Sequence, residues 1–147
     1  MAQEPHIFEV GEAKDEYLQV INRLMEQLTT SGQKIDSDRL RRIVESDASR
    51  LFLLNVGGTI AGMLTLGIYH TPTGCKVWVE DLVVDREFRN RHLGRMMVDK
   101  AIEAARQYAP CTLMLTSRPA RVAANALYQS AGLAHKTTNV YKIDITR

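Results

Sequence analysis

Between residues 14 and 30, apolar side chains recur at Tyr17, Leu18, Ile21, Leu24, Met25 and Leu28. That spacing predicts an amphipathic helix with one buried stripe. Thr29-Thr30-Ser31-Gly32 ends it, and Asp36 or Ser37 can cap a second helix that runs to about Glu45. The pattern elsewhere is different. Residues 6–10 form a short strand-like run, and residues 51–56 and 59–69 flank Gly57-Gly58, a pair suited to a tight hairpin turn. A further turn at His70-Thr71-Pro72-Thr73-Gly74 leads into a strand over residues 76–84. Helical spacing returns over residues 93–108, at Leu93, Met96, Met97, Ala101, Ile102 and Ala105, with Pro110 just beyond. Residues 112–116 predict a strand, residues 121–131 a helix and residues 139–145 a last strand. The order is β-α-α-β-β-β-α-β-α-β. Hairpins early and βα units late predict an α/β fold, a mixed central sheet flanked by helices.

The junction after the fourth predicted strand carries the strongest chemistry. Val77-Trp78-Val79-Glu80-Asp81-Leu82-Val83-Val84 runs into Arg89-Asn90-Arg91-His92-Leu93-Gly94-Arg95. A strand that delivers free backbone amides to a helix N-terminus is a ready anion site, and arginines add charge-assisted donors. The ordinary reading of Arg86, Arg89, Arg91 and Arg95 is a solvated helix start. However, cations at a helix N-terminus oppose its dipole, and a bound anion relieves that conflict. A mononucleotide P-loop needs Gly-Lys-Ser/Thr, whereas Gly94 precedes Arg95-Met96; a dinucleotide fingerprint needs three glycines, and there is one.

The segment resembles the GNAT superfamily of acetyl-CoA-dependent N-acetyltransferases, whose motif is Arg/Gln-x-x-Gly-x-Gly/Ala opening a helix. Arg89 fills the first place and Gly94 the last, while His92 stands where the middle glycine is usual. A second segment, Ala123-Ala124-Asn125-Ala126-Leu127-Tyr128-Gln129-Ser130-Ala131-Gly132-Leu133, resembles the later motif of the same superfamily. Asn125 and Tyr128 share a helical face there, and Gly132 suits a C-cap.

The resemblance implies a GNAT-type fold with acetyl-CoA as co-substrate. It places Leu82, Val83 and Val84 along the pantetheine arm and thioester, with a backbone amide as oxyanion donor. Arg89, Asn90, Arg91, His92, Leu93, Gly94 and Arg95 fall around the phosphates, and Asn125 is a further cofactor contact. Tyr128, which could equally be a core tyrosine, becomes the candidate general acid for the leaving thiolate.

Glu80 and Asp81 interrupt an apolar strand, where carboxylates are rare and need a reason. Pairing with Arg86 is the bland one. The functional one is to attract an ammonium group and take its proton. Strand alternation sends the two to opposite faces unless a bulge intervenes, and Glu80 is the favoured base. His70, His92 and His135 are scattered, and no His/Cys/Asp grouping has metal-ligand spacing.

The whole chain of 147 residues reads as one N-acetyltransferase domain. Its formal net charge of +2 gives no nucleic-acid signature, and no aromatics are interleaved with the basic residues. No apolar run approaches the roughly 20 residues of a membrane span, and Met1-Ala2-Gln3-Glu4-Pro5 is not a secretory signal. Cys75 and Cys111 read as far apart, forming no metal-like or redox pair, and as reduced thiols, which suits a cytoplasmic protein. The expected partners are acetyl-CoA and an amine acceptor, with a homodimer left open.

The expected reaction is direct acetyl transfer to the primary amine of a small molecule. A protein amine, or a non-catalytic acyl-CoA binding or sensing module, are the alternatives. Residues 79–84 with His92 look like the glucosamine-phosphate acetyltransferases, but Ser117-Arg118-Pro119-Ala120-Arg121 departs from them. The acceptor has no readable code.

Overall fold

The computed structural model describes residues 4–147. Five strands form one sheet in the order β1-β2-β3-β4-β5. They are β1 (His6–Glu9), β2 (Ser49–Val56), β3 (Thr59–Thr71), β4 (Gly74–Val84) and β5 (Cys111–Met114). The first three pairings are antiparallel and β4 pairs β5 in parallel. The helices are α1 (Asp15–Leu28), α2 (Ser37–Glu45), α3 (Leu93–Ala105) and α4 (Val122–Ser130). No helix among the described residues is long and apolar enough to cross a membrane.

Local chemistry sets the boundaries. Asp36 caps α2 by accepting from the Arg39 amide at 2.8 Å. Gly57 and Gly58 both take positive φ in the β2–β3 turn. Gly132 takes a φ of 103° just past α4. The long helix expected over residues 93–108 tightens into a 3-10 turn at Arg106–Tyr108.

Both faces of the sheet are covered, so β2 reads as a nearly continuous apolar run. Phe52 and Leu54 pack on one face with Leu66, Val77, Met97 and Ala101, beneath α3. Leu51 and Leu53 pack on the other with Ile21, Leu24 and Leu40, beneath α1 and α2.

Two expectations are corrected. The last strand, expected over residues 139–145, is not formed; residues 134–147 are exposed and belong to no helix or strand. Among the described residues its alternating pattern finds no partner strand. Cys75 and Cys111, distant in sequence, face each other as register partners on β4 and β5. Both are free thiols, and burial, then the Cys75 thiol, pushes Cys111 up.

Candidate active site

The decisive feature of β4 is a bulge. Met63 pairs Val83 and Thr65 pairs Glu80, so Leu64 alone faces both Asp81 and Leu82. Asp81 absorbs the extra residue with a φ of 51°, a left-handed conformation that aspartate tolerates better than most residues. The parity of the strand reverses there. Val77 and Val79 point into the core beneath α3, as expected of alternate residues. Beyond the bulge, Leu82 and Val84 point that way instead, and Val83 enters the core beneath α1 and α2.

A second change occurs on the opposite edge of β4. Its pairing with β5 stops at Trp78 and Met114. From Val79 onward the backbone groups of β4 that face away from β3 have no strand partner.

Asp85 then fixes the chain that leaves β4. It is buried at 2% exposure, accepts from the Glu87 amide at 3.1 Å, and is ion-paired with Arg23 of α1. Burial pushes its carboxyl up, but the Glu87 amide, Arg23 and Gln27 together outweigh that and hold it below the usual range. Gln27 also accepts from the Arg86 main-chain amide at 2.8 Å, and among the described residues the Arg86 guanidinium forms no ion pair with Glu80 or Asp81. A 3-10 turn at Arg86–Phe88 follows, which the sequence pattern did not reveal.

Helix α3 begins at His92, whose φ of 60° lies in the left-handed region. Asn90 does the same at 65°. His92 therefore takes the backbone shape that a glycine would supply more cheaply. Its side chain caps nothing, the first turn of α3 has no acidic residue, and the first main-chain bond runs from Met96 to His92. The amides of Leu93, Gly94 and Arg95 are therefore open to an anion.

These elements surround an open cavity of about 510 Å³ between the end of β4 and the α3 and α4 helices. Leu82 and Val84 line it from β4; Arg89, Asn90, His92, Leu93 and Gly94 from the loop and α3; Tyr128 from α4. No carboxylate lines it among the described residues. Arg89 is steadied by donating its Nε to the Val84 carbonyl at 3.3 Å. A Cβ on Gly94 would meet Leu127 at 3.3 Å, so α3 and α4 approach closely at this glycine.

Other sequence-predicted residues stand outside the cavity lining. The Val83 side chain is in the core on the far face. Arg91 lies over the Phe88 ring at 5.2 Å, and Arg95 pairs with Asp99 at 3.0 Å and reaches Ser130 at 3.3 Å. Asn125 donates to the Arg118 carbonyl at 3.1 Å and so ties α4 to the preceding loop.

Glu80 also stands outside the lining. It lies on the α1/α2 face of β4, with Trp78, whose indole donates to the Tyr69 hydroxyl at 2.9 Å. Loss of water around the Glu80 carboxyl, then the adjacent Asp81 charge, pushes it above the usual carboxylate range, although the residue as a whole remains exposed. Arg121 lines the cavity and was missed in the sequence. Its spacing of three from Ala124 and seven from Tyr128, also lining residues, was the available clue.

A family model described as the acetyltransferase (GNAT) family matches residues 17–133. No match was found among curated proteins. Among solved structures, the chain is similar to the aminoglycoside acetyltransferase meta-AAC0020 from an uncultured soil metagenomic sample, solved with trehalose. The TM-score is 0.83 at 16% identity, covering 97% of each chain. It is similar to glucosamine-6-phosphate N-acetyltransferase from Arabidopsis thaliana, with a TM-score of 0.77 at 20% identity, covering 96% of this chain and 99% of that one. It is also similar to AAC(6')-Iy, solved with the bisubstrate analog CoA-S-monomethyl-acetylneamine. There the TM-score is 0.79 at 14% identity, covering 98% of this chain and 100% of that one. At these identities the structural likeness speaks to fold.

Proposed function

The chain belongs to the GNAT acetyltransferase family, and on that footing we propose that it moves the acetyl group of acetyl-CoA directly to the primary amine of a small cationic molecule such as an amino sugar. One observation carries the reading: a single cavity holds the open α3 amides, two arginines and Tyr128, beside the β4 segment that has lost its partner strand.

The α3 amides of Leu93, Gly94 and Arg95, with Arg89 and Arg121, fit a diphosphate. Arg91 and Arg95 add positive charge around it. Asn125 acts by holding α4 in place. The unpaired backbone of residues 79–84 suits an amide-bearing chain that runs alongside it, as pantetheine would. A β4 amide there stabilises charge developing on the thioester carbonyl oxygen.

The acceptor approaches from the other face. Glu80 and Asp81 attract an ammonium group, and the hydrogen-bonded Trp78–Tyr69 pair offers aromatic faces to a cation. Glu80, directly or through water, removes a proton to free the amine lone pair. The C–N bond forms, the C–S bond breaks, and Tyr128 gives its proton to the leaving sulfur, while the proton shed by the newly acylated nitrogen passes through water and restores the Tyr128 hydroxyl. The aminoglycoside and glucosamine-6-phosphate acetyltransferases named above share this fold and support a small amino-sugar acceptor.

The test is thiol release from acetyl-CoA with a panel of amino sugars, aminoglycosides, polyamines and lysine peptides, using wild type and Tyr128→Phe. Release is expected with a small amine, and Tyr128→Phe should lower turnover by about 10²- to 10⁴-fold with cofactor affinity and melting unchanged. Release with peptides alone would make it a protein acetyltransferase. Acetyl-CoA binding without release to any amine would make it a sensing module.

A further inference from the structure

The α1/α2 face of the sheet is covered at one end only. The core there takes Met63 from β3 and Val83 from β4, and among the described residues no side chain of either strand nearer their shared turn joins it. Toward that turn, Thr65, Gly67 and Tyr69 of β3 stand opposite Glu80, Trp78 and Lys76 of β4. Register partners share a face, so these six form one shelf beside the helices. Tyr69 and Glu80 are exposed and the others are half-buried.

Gly67 is the register partner of Trp78. Glycine inside a strand weakens it, and often marks a close approach by a ligand or another backbone. Gly62, earlier on β3, has a reason within the fold: a Cβ there would come within 3.0 Å of the Val83 carbonyl oxygen. Gly67 has no such reason. A Cβ there would meet nothing within 4 Å, and its φ lies outside the left-handed region. What this glycine supplies is open ground beside the indole.

The indole is fixed as well as cleared. Its Nε1 donates to the Tyr69 hydroxyl at 2.9 Å. A large side chain already held in one orientation loses little freedom when a ligand is laid against it. The electron-rich face of an indole attracts the partly positive C–H groups of a saturated ring, and an ammonium group as well. Glu80 stands two residues along the same strand, roughly 7 Å away, which an amine carried on a six-membered ring can reach. Lys76 stands two residues the other way and opposes the second ammonium of an extended diamine lying along the strand. From Val79 onward β4 has lost its β5 partner, so an amine held at Glu80 lies beside the segment proposed to carry the thioester.

We propose that Trp78, cleared by Gly67 and held by Tyr69, is a stacking platform that selects amines carried on a saturated ring over acyclic ones, and sets the ring so that its amine reaches Glu80. Amino sugars and aminocyclohexanes are the ligands of this class. The inference rests on the acetyl-transfer reading for the reaction and adds what recognises the acceptor.

Trp78 is the single tryptophan of the chain, so its emission reports on the platform without any turnover. Titrated in the absence of acetyl-CoA, glucosamine and cyclohexylamine should change that emission saturably, binding about tenfold or more tightly than n-hexylamine, 1,4-diaminobutane or glucose. In thiol release the ring amines should show a correspondingly lower KM. Gly67→Val puts a branched side chain on the open ground. It should melt at or above wild type, because valine suits a strand better than glycine does, and should keep its affinity for acetyl-CoA. Its KM for ring amines should rise by about tenfold or more, and far less for the acyclic amines. Trp78→Leu, followed by thiol release alone, should erase the preference between the two classes. Three results would overturn the platform: emission indifferent to ring amines, equal KM for ring and acyclic amines, or a Gly67→Val variant that binds ring amines as wild type does. Emission that responds to ring amines while no amine releases thiol would instead refute the transfer reading and leave the platform standing.

Discussion

Arg23 of α1 holds the carboxylate of Asp85, the residue at which β4 turns into the loop that leads to α3. The same guanidinium donates to the Ile60 carbonyl at 2.7 Å. One side chain thus ties α1 to β3 and to the loop that leads into α3.

Asp85→Asn should expose how much that tie contributes. The amide keeps a hydrogen bond to Glu87 but loses the charged partner of Arg23, at a cost of about 1.5–3 kcal/mol. The wild-type carboxyl has its pKa depressed by folding. Its contribution is therefore present above the unfolded value, near 3.9, and is lost as pH falls through the folded value. Urea unfolding should show a clear gap between wild type and variant at pH 7 that narrows as pH falls below the unfolded value and closes only once pH passes below the folded one. A gap that stays constant with pH would remove the ion pair as its cause.

Glu80→Gln should separate chemistry from folding. The Glu80 carboxyl is raised in the folded protein, so the native state favours its protonated form. Its ionisation weakens folding as pH rises through the unfolded and then the folded value. The neutral amide should therefore leave neutral-pH stability equal or slightly higher. If Glu80 is the base, kcat/KM should lose its acidic limb, and that limb should lie above the ordinary carboxylate value of about 4.3 in wild type. An unaltered pH–rate profile would give the proton to Asp81 or to water.

Charge reversal should rank the arginines. Arg89 and Arg121 line the cavity, while Arg91 rests on Phe88 and Arg95 is engaged by Asp99. Arg89→Glu and Arg121→Glu should each weaken acetyl-CoA by about tenfold or more in calorimetry. Arg91→Glu should do so less, because its charge acts from outside the cavity and through salt. Equal losses at all three positions would mean that only the summed field matters.

Gly94→Ala and Gly94→Val distinguish packing from anion contact. The new methyl of alanine meets Leu127 at 3.3 Å, which the flexible end of that leucine can accommodate. The helix gains about 0.5–1 kcal/mol from replacing glycine, so Gly94→Ala should melt close to wild type. Valine adds a branch against α4 and should lower the melting temperature. If Gly94→Ala binds acetyl-CoA as wild type does, the phosphates do not approach this backbone closely.

Much of this was legible because the patterns were local. The α1 stripe, the Gly57-Gly58 turn and the Asp36 cap each involve neighbours in sequence, and each formed as read. The loop that lines the cavity was legible for the same reason, since Arg89 through Gly94 are contiguous. What could not be read depends on partners elsewhere. The Asp81 bulge is set by the pairing of β3 with β4, and so is the face on which Glu80 falls. Cys75 meets Cys111 only because β4 and β5 are neighbours. Arg121 joins the cavity only when α4 docks beside α3. Residues 139–145 do carry a strand pattern, but a strand also requires an edge, and none within the chain receives it.

The bulge at Asp81 makes β4 a strand whose length must be counted. Deleting one residue between Val79 and Leu82 would act on it as a frameshift acts on a message. Every side chain downstream would be delivered to the wrong side, with Val83 sent toward α3 and with Leu82 and Val84 driven beneath α1. Changes in identity along this strand therefore test one contact at a time. A change in its number would dismantle the cavity while leaving every residue of it present.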